Sequence, residues 1–237
     1  MRMKNNIMLI LAGFLLLVST MTNIEAGIKV PGTIVGTGTK ALLGGDLTDP
    51  EDDGAPEEDT NYNAKFTSSD EPGFGGGESA FNVFDNILGP GNDKWCCGKG
   101  GIGDGEGMHI TAELEAPHLL THFTLSSAND VPDRDPTTWE VQGSNDGEKF
   151  TTIFSYDGDN LFTDRLQVIR FDAGEDFDAQ TTGYRFFRHI TFKTANWPNG
   201  AFFQIGEIEY FGTPADDTAV DPRSKLATQW GILKNSQ

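Results

Sequence analysis

Two neighbouring cysteines are the first residues of this sequence whose types could do chemistry. Cys96 and Cys97 are adjacent, and the chain has no other cysteine. They cannot link distant strands to each other. They form either a vicinal disulfide, which an oxidising compartment permits, or two free or externally paired thiols. Zinc is disfavoured, because a structural site needs four ligands and no nearby pair of cysteine or histidine residues has suitable spacing.

An acidic stretch near the N-terminus could bind a hard cation. Asp49, Glu51, Asp53 and Gly54 resemble the start of a calcium loop, in which oxygen ligands at alternate positions and a turning glycine surround the ion. The twelfth position is Thr60 rather than Glu, and no flanking helices are evident. We interpret the stretch as a solvated acidic loop, with metal binding as the alternative.

Catalytic motifs are absent from the sequence. It has no G-x-S-x-G nucleophile elbow, no H-E-x-x-H zinc pair and no P-loop. With 36 Asp and Glu residues, a pair of carboxylates placed for glycoside hydrolysis would occur by chance. We therefore expect a protein that is not an enzyme. Only 17 Lys and Arg residues oppose these acids, and the net charge of -19 makes nucleic acid an unexpected partner.

The N-terminus has the pattern of an export signal. Arg2 and Lys4 precede an apolar run over residues 7–18, and Ala26 ends a candidate cleavage site. The run is short for a membrane span, which needs about 20 residues, and no later segment could span a bilayer. The sequence predicts a signal peptide over residues 1–26 and a secreted protein, located outside the cell or at its surface.

Short strands must position these residues. Residues 109–115 alternate, with Ile110, Ala112 and Leu114 on one face, as in a strand with one buried side. Similar runs recur at residues 122–127, 139–143, 149–154, 165–171, 184–192 and 203–211. This spacing predicts an all-β sandwich or barrel, and the GSNDG segment at 143–147 predicts a hairpin turn.

The ends of the chain lack this periodicity. Residues 27–60 are rich in Gly, Pro and Asp, and we interpret them as an acidic leader. Residues 213–237 form a predicted C-terminal tail, in which a short amphipathic helix could begin near residue 221. The strands between them place the folded domain at residues 61–212.

Several segments, taken in order, resemble one known family. They are SSAND at 126–130, RDP at 134–136, WEVQGSNDG at 139–147, YRFFR at 184–188, GEIEYFG at 206–212, and the stretch from Ala80 through Asp85 to Trp95. Together they resemble the discoidin or coagulation factor five/eight type C family, which includes the family-32 carbohydrate-binding modules. The resemblance implies a galactose-binding-like jelly-roll β-sandwich of two antiparallel sheets, usually with about eight strands. It also implies a binding module whose loops at one end hold the ligand.

The same resemblance implies a structural calcium ion. Matched to the family pattern, Asp85 and Glu207 are its carboxylate ligands. A hard cation takes six to eight oxygen ligands, so further oxygens are expected. The other expected oxygens are carbonyls of Asn82 and Gly206, with Asn92 or Asp93. In the alternative interpretation Asp85 is a turn residue and Glu207 is a solvated strand position.

The loop at residues 194–202 offers the groups that a sugar site needs. An aromatic ring covers the apolar face of a pyranose, and fixed polar groups bind its hydroxyls. Trp197 would provide the ring, and the loop also supplies Asn196, Asn199 and Phe202. A tryptophan that caps the core is the alternative. Trp95 and Trp139 lie on strand-like runs and are predicted to be core residues.

Asn129, Asp130, Arg134 and Asp135 form a second candidate patch, in which Asn129 and Arg134 would contact the ligand. Arginine can bind vicinal hydroxyls or a carboxylate with two hydrogen bonds. The alternative is a structural ion pair of Arg134 with Asp130 or Asp135. The sequence therefore predicts an exported, non-catalytic binding module for a glycan or extracellular polysaccharide. A protein-interaction or adhesion domain, with a surface protein as its partner, is the alternative.

Overall fold

The computed structural model describes residues 30–55, 58, 60–70, 77–98, 102–200 and 202–215. The predicted signal peptide and the possible C-terminal helix lie outside these residues. Within the described ranges, no helix combines the length and the apolar character needed to cross a bilayer.

Ten β-strands and three short 3-10 turns make up this part of the chain. The strands are β1 (Thr33–Thr37), β2 (Ala64–Ser68), β3 (Trp95–Cys96), β4 (Met108–Ser126), β5 (Pro136–Ser144), β6 (Thr151–Asp157), β7 (Gln167–Asp172), β8 (Tyr184–Thr194), β9 (Gln204–Ile205) and β10 (Ile208–Pro214). The turns are Thr39–Ala41, Ala80–Val83 and Pro132–Arg134. The predicted all-β class is confirmed.

Eight strands form one continuous hydrogen-bonded sheet that curls at the long strand β4, and we call its two halves the two sheets of the sandwich; β3 and β9 form a separate pair. The first half of β4 pairs with β2 and β8, and its second half pairs with β7 and β10. The register shifts between Glu113 and His118, around Pro117, which has no N–H to donate to a ladder. β5 and β6 extend the first sheet beside β8, and β1 extends the second beside β7. All these pairings are antiparallel, and the sheets form a jelly-roll sandwich.

Aromatic side chains fill the space between the sheets. The Trp139 ring on β5 lies 5.5 Å from the Phe171 ring on β7, at 80°. Phe187 on β8 lies 5.5 Å from Tyr210 on β10. Trp139 and Trp95 are 1% and 0% exposed, so their predicted core positions are confirmed.

Described residues before residue 61 are bonded to strands of the sandwich, whereas the sequence predicted a separate leader. β1 pairs with β7, with Thr33 opposite Arg170. Leu47 N–H donates to the Tyr210 carbonyl at 2.7 Å. β1 shows no alternation because its side chains are almost all exposed. An edge strand that buries no face leaves no periodic signal in the sequence.

Candidate ligand face and cation site

Four loops meet at one end of the sandwich. They comprise residues 91–98, which include the short strand β3, residues 102–107 and 127–135, and the described residues of 194–203, and we call them the loop end. They adjoin the start of β5 and the end of β8, which pair through Pro136 and Thr194. Backbone hydrogen bonds join the loops: Asn196 N–H donates to the Asp133 carbonyl at 2.9 Å, and Phe203 N–H donates to the Gly98 carbonyl at 3.1 Å. The strands therefore hold these loops in fixed positions.

Trp197 lies at the surface of the loop end. Its side chain is 37% exposed, so it does not cap the core. Part of the indole rests on Gly103, where any side chain would collide with the ring. Val131 and Phe202, at 38% and 41% exposed, are large apolar residues of the same loops. Exposed apolar groups on rigid loops are typical of ligand sites.

The predicted amides beside Trp197 have different positions. Asn199 is exposed and Asn196 is half-buried. The Asn196 carbonyl accepts the N–H groups of Asn199 at 2.7 Å and Gly200 at 3.1 Å, which closes a tight turn. Trp197 N–H donates to the Thr194 carbonyl at 3.0 Å. The turn thus fixes the backbone that carries the indole.

Arg134 contacts a disulfide rather than a carboxylate. Cys96 and Cys97 form the vicinal disulfide, which resolves the alternatives left open by the sequence. Arg134 Nη1 donates to Cys97 Sγ at 3.2 Å and lies 3.5 Å from Cys96 Sγ. Its guanidinium carbon is 5.7 Å from the centre of the Phe202 ring, within range of a cation–π contact. Arg134 is thereby placed beside one of the exposed aromatic residues.

The predicted pairing of Arg134 with Asp130 or Asp135 is wrong. Asp135 is fully buried and bound by Arg165, with nitrogen–oxygen distances of 2.9 and 2.5 Å. Asp130 instead accepts from Lys94 Nζ at 3.0 Å. Both acids are neutralised by cations that are distant in sequence, and no local pattern predicted either partner.

The side-chain amide of Asn129 holds loops together. Its Oδ1 accepts from Lys94 Nζ at 2.7 Å, and its Nδ2 donates to the Gly91 carbonyl at 3.1 Å. Lys94 is itself buried and lies 3.3 Å from Glu78. Asn129 and Lys94 thus support the loop end from within, and Lys94 is not among the site residues predicted from the sequence.

A metal site at the disulfide is excluded by its chemistry. Glu78 Oε and the sulfurs of Cys96 and Cys97 lie within 4.8 Å of one another. Metals bind cysteine as the thiolate, and the sulfur atoms of a disulfide carry no such charge.

The structure brings Asp85 and Glu207 together around Asn86. Asn86 N–H donates to Glu207 Oε1 at 3.1 Å, and Ile87 N–H donates to Asp85 Oδ1 at 2.9 Å. Glu207 is 0% and Asp85 4% exposed, so neither is a solvated position. Burial raises the pKa of Glu207 well above its usual value, and the Asp85 charge raises it further. Glu207 Oε2 is buried without a hydrogen-bond partner among the described residues, which fits a hard cation.

The remaining predicted calcium ligands have other contacts. Asn82 Nδ2 donates to the carbonyls of Gly77 at 2.8 Å and Asn92 at 2.7 Å. The Asp93 carboxylate lies against Gly89. Gly206 N–H donates to the Ser126 carbonyl at 2.9 Å. These contacts involve the side-chain nitrogen of Asn82 and the N–H of Gly206, so the carbonyl oxygens of both residues stay predicted ligands.

Three further buried carboxylates lie beside Glu207. With Asp85 and Glu207, the acids Asp46, Asp49 and Glu209 form what we call the acidic centre; these three are 1%, 0% and 0% exposed. Burial raises the pKa of Asp46 to about 7; hydrogen bonds from Thr48 oppose the rise, and the charges of Glu209 and Asp49 add to it. The predicted solvated acidic loop is therefore wrong for Asp49.

The F5/8 type C domain family matches residues 64–201, more than half of the chain. The chain belongs to the F5/8 type C domain family. The resemblance recognised in the sequence is confirmed, and the matched segment runs from β2 to the loop that carries Trp197.

Individual relatives are more distant. A peptide-N(4)-(N-acetyl-beta-glucosaminyl)asparagine amidase of Arabidopsis thaliana is 29% identical over 98 residues, 40% of this chain but only 12% of that protein. The chain therefore spans about an eighth of that relative.

Among solved structures, the chain is similar to two modules of Clostridium perfringens. The module CpGH89CBM32-5, in complex with GalNAc-β-1,3-galactose, has a TM-score of 0.48 and 20% identity over 63% of this chain and 96% of its own. The family-32 module of NanJ, in complex with galactose, has a TM-score of 0.43 and 15% identity over 62% of this chain and 93% of its own.

Proposed function

We propose that this chain is a non-catalytic module that binds a glycan through its loop end. The observation that carries the proposal is the exposed indole of Trp197, held on Gly103 by loops that the strands fix. A ring presented in this way can stack on the apolar face of a pyranose. Arg134, near Phe202, and the exposed amide of Asn199 supply hydrogen-bond donors for hydroxyl groups.

A binding screen with two matched variants tests this proposal. The wild-type chain is screened against glycans and polysaccharides, and Trp197→Ala is compared with Ile34→Ala, which removes an exposed apolar side chain on β1. We expect Trp197→Ala to weaken binding at least about tenfold, the effect of losing a stacking contact, without a change in melting temperature. Ile34→Ala should bind normally. Equal affinity of Trp197→Ala and wild type would contradict the assignment.

Export to an oxidising compartment is the second part of the proposal. The basic and apolar pattern of residues 1–26 supports it, and the disulfide between Cys96 and Cys97 needs such a compartment to persist. The partner is then a glycan outside the cell or at its surface. If the folded wild type binds no glycan, the alternative of a protein-interaction domain is favoured.

The third part is a structural calcium ion held by Asp85 and Glu207. Their burial, and the unpartnered Oε2 of Glu207, support it. We expect calcium to raise the melting temperature of the wild type and a chelator to reverse this. Glu207→Gln should abolish the response, because it removes the charge and keeps the shape. An unchanged response in Glu207→Gln would refute the assignment.

A further inference from the structure

The segment that precedes the family domain is docked on the sandwich at the acidic centre, to which it contributes Asp46 and Asp49. We call residues 43–54 the leader segment. The N–H groups of Leu43 and Gly44 donate to Glu209 Oε1 at 2.8 and 2.7 Å. Within the leader segment, Asp49 Oδ2 accepts a hydrogen bond from Asn86 Nδ2 of the sandwich at 3.0 Å. The leader segment is therefore bound to the sandwich largely through carboxylates.

Docking brings two more negative charges into a buried acidic site. Asp46 and Asp49 join Glu207 and Glu209, and none of these four forms an ion pair within the described ranges. Like charges repel strongly where water is excluded. Something other than a described cationic side chain must offset this repulsion.

Hydrogen bonds satisfy two of these carboxylates. Glu209 accepts from the leader N–H groups and, through Oε2, from Thr124 Oγ1 at 2.7 Å. Asp49 accepts the N–H groups of Asp53 at 3.0 Å and Gly54 at 2.9 Å in addition to Asn86. Hydrogen bonds therefore satisfy the oxygens of both side chains, and neither has to be a direct ligand of a metal ion, although both keep their negative charge.

The other two have a buried oxygen without a partner. Asp46 Oδ2 and Glu207 Oε2 are both shielded from solvent and accept no hydrogen bond from a described residue. Asn86 Oδ1, on the residue that joins Glu207 to Asp49, is in the same situation. Unsatisfied buried oxygens beside several carboxylates are the expected surroundings of an oxygen-loving cation.

A cleft gives access to this region from solvent. It has a volume of about 420 Å³ and lies between the leader segment and the loop of Asp85. Gly44, Asp52 and Asp53 line one side, and Asp85 and Asn86 line the other. A bound ion also needs an entry path, and this cleft supplies one.

We propose that a divalent hard cation at Asp85 and Glu207 also neutralises Asp46 and Asp49, so that cation binding and docking of the leader segment are one coupled equilibrium. This inference rests on the proposed calcium site. Asp49 is a positioning residue, because it holds the side chain of Asn86. Asp46 contributes to cation binding through its negative charge. The family match begins at residue 64, so this coupling comes from residues that lie before it.

The first experiment follows hydrogen exchange of the full chain with calcium or with a chelator. We expect calcium to slow exchange in residues 43–54 at least about tenfold, as a coupled equilibrium requires. Unchanged exchange in the leader segment, while calcium still binds and stabilises the sandwich, would overturn the coupling alone. A wild type that binds no calcium at all would remove the proposed site as well. Neither outcome bears on glycan binding.

The second experiment compares two variants that each remove one charge from the leader segment. Asp46→Asn keeps Oδ1, which accepts from Thr48, and Glu51→Gln changes an exposed side chain. We expect Asp46→Asn to weaken calcium binding about tenfold in calorimetry, and to slow exchange of the leader segment in chelator because one repulsive charge is gone. Glu51→Gln should change either quantity less than about twofold. Equal effects of the two variants would overturn the proposal.

Discussion

Among single side chains, Asp135 shows how strongly burial determines the contribution of an ion pair to the stability of the fold. It is fully buried, whereas its partner Arg165 keeps 24% of its side chain exposed. Removing one member of a buried pair leaves an uncompensated charge. The pair of Arg170 and Asp172, at 36% and 32% exposed, is instead a surface contact, and such pairs contribute little.

This contrast gives a matched prediction. We expect Arg165→Met to lower the free energy of unfolding by about 3 kcal/mol, because it leaves the buried Asp135 carboxylate unpaired. Arg170→Met should change it by less than about 1 kcal/mol. Denaturation by urea measures both values. Similar losses in the two variants would show that burial of Asp135 does not govern the pair.

Gly103 permits a test of how Trp197 is held. Gly103 and Gly105 both have positive φ angles, +80° and +94° respectively. Of these two glycines, only Gly103 contacts the indole. We expect Gly103→Ala and Gly105→Ala to incur a similar backbone cost of about 1–2 kcal/mol. Gly103→Ala should additionally displace Trp197 and weaken glycan binding, and acrylamide quenching should report the displaced ring. Equal binding by both variants would show that Gly103 does not position Trp197.

At the scale of elements, local contacts were predictable and distant ones were not. The hairpin at 143–147 is fixed within itself, since Ser144 Oγ accepts the N–H groups of Asp146 at 3.2 Å and Gly147 at 3.0 Å. Arg134 contacts the sulfur of Cys97, which is 37 residues away in the sequence. The spacing of residues in the sequence does not predict such a contact. The family pattern predicted that Asp85 and Glu207 meet, but nothing in it indicated Asp46.

β1 was missed for a different reason. Ile34 and Val35 are 57% and 41% exposed, so the strand has no buried face to produce alternation. Its stability comes from hydrogen bonds with β7 rather than from its own burial. Edge strands of this type are found only when the partner strand is known.

Truncation at two points tests how much β1 and the leader segment contribute to the stability of the domain. A chain that begins at Pro31 keeps β1 and the leader segment, whereas one that begins at Asn61 leaves β7 without its β1 neighbour and Glu209 without two donors. We expect the longer chain to melt like the full chain and the shorter one to melt several degrees lower, because buried groups lose their partners. Scanning calorimetry compares them. Equal melting temperatures would place the domain boundary at residue 61, as the sequence predicted.

At the scale of the whole molecule, His189 links stability to pH. It is fully buried beside Trp139, with its ring 5.3 Å from the indole. Burial lowers the pKa of His189 to about 3 from an ordinary value of 6.5. The unfolded chain therefore takes up a proton first as the pH falls. The contribution of the buried, neutral His189 to the free energy of unfolding is therefore complete above pH 6.5, and it is lost as the pH falls toward 3.

A comparison with His189→Gln isolates this dependence. Other acids titrate in the same range, so the informative quantity is the difference between wild type and variant in the free energy of unfolding. We expect the advantage of the wild type to shrink by about 1.4 kcal/mol for each pH unit below 6.5. Denaturant titrations at several pH values measure it. A difference that stays constant with pH would mean that His189 does not remain neutral in the folded chain.

The shared strand β4 has a mechanical consequence. Both sheets are bonded to its 19 residues, and antiparallel ladder bonds lie perpendicular to the strand. A pull along β4 would load the bonds of both sheets in shear at the same time, rather than opening them one after another. We therefore expect the domain to resist a force applied along β4 more strongly than it would if the two sheets opened separately.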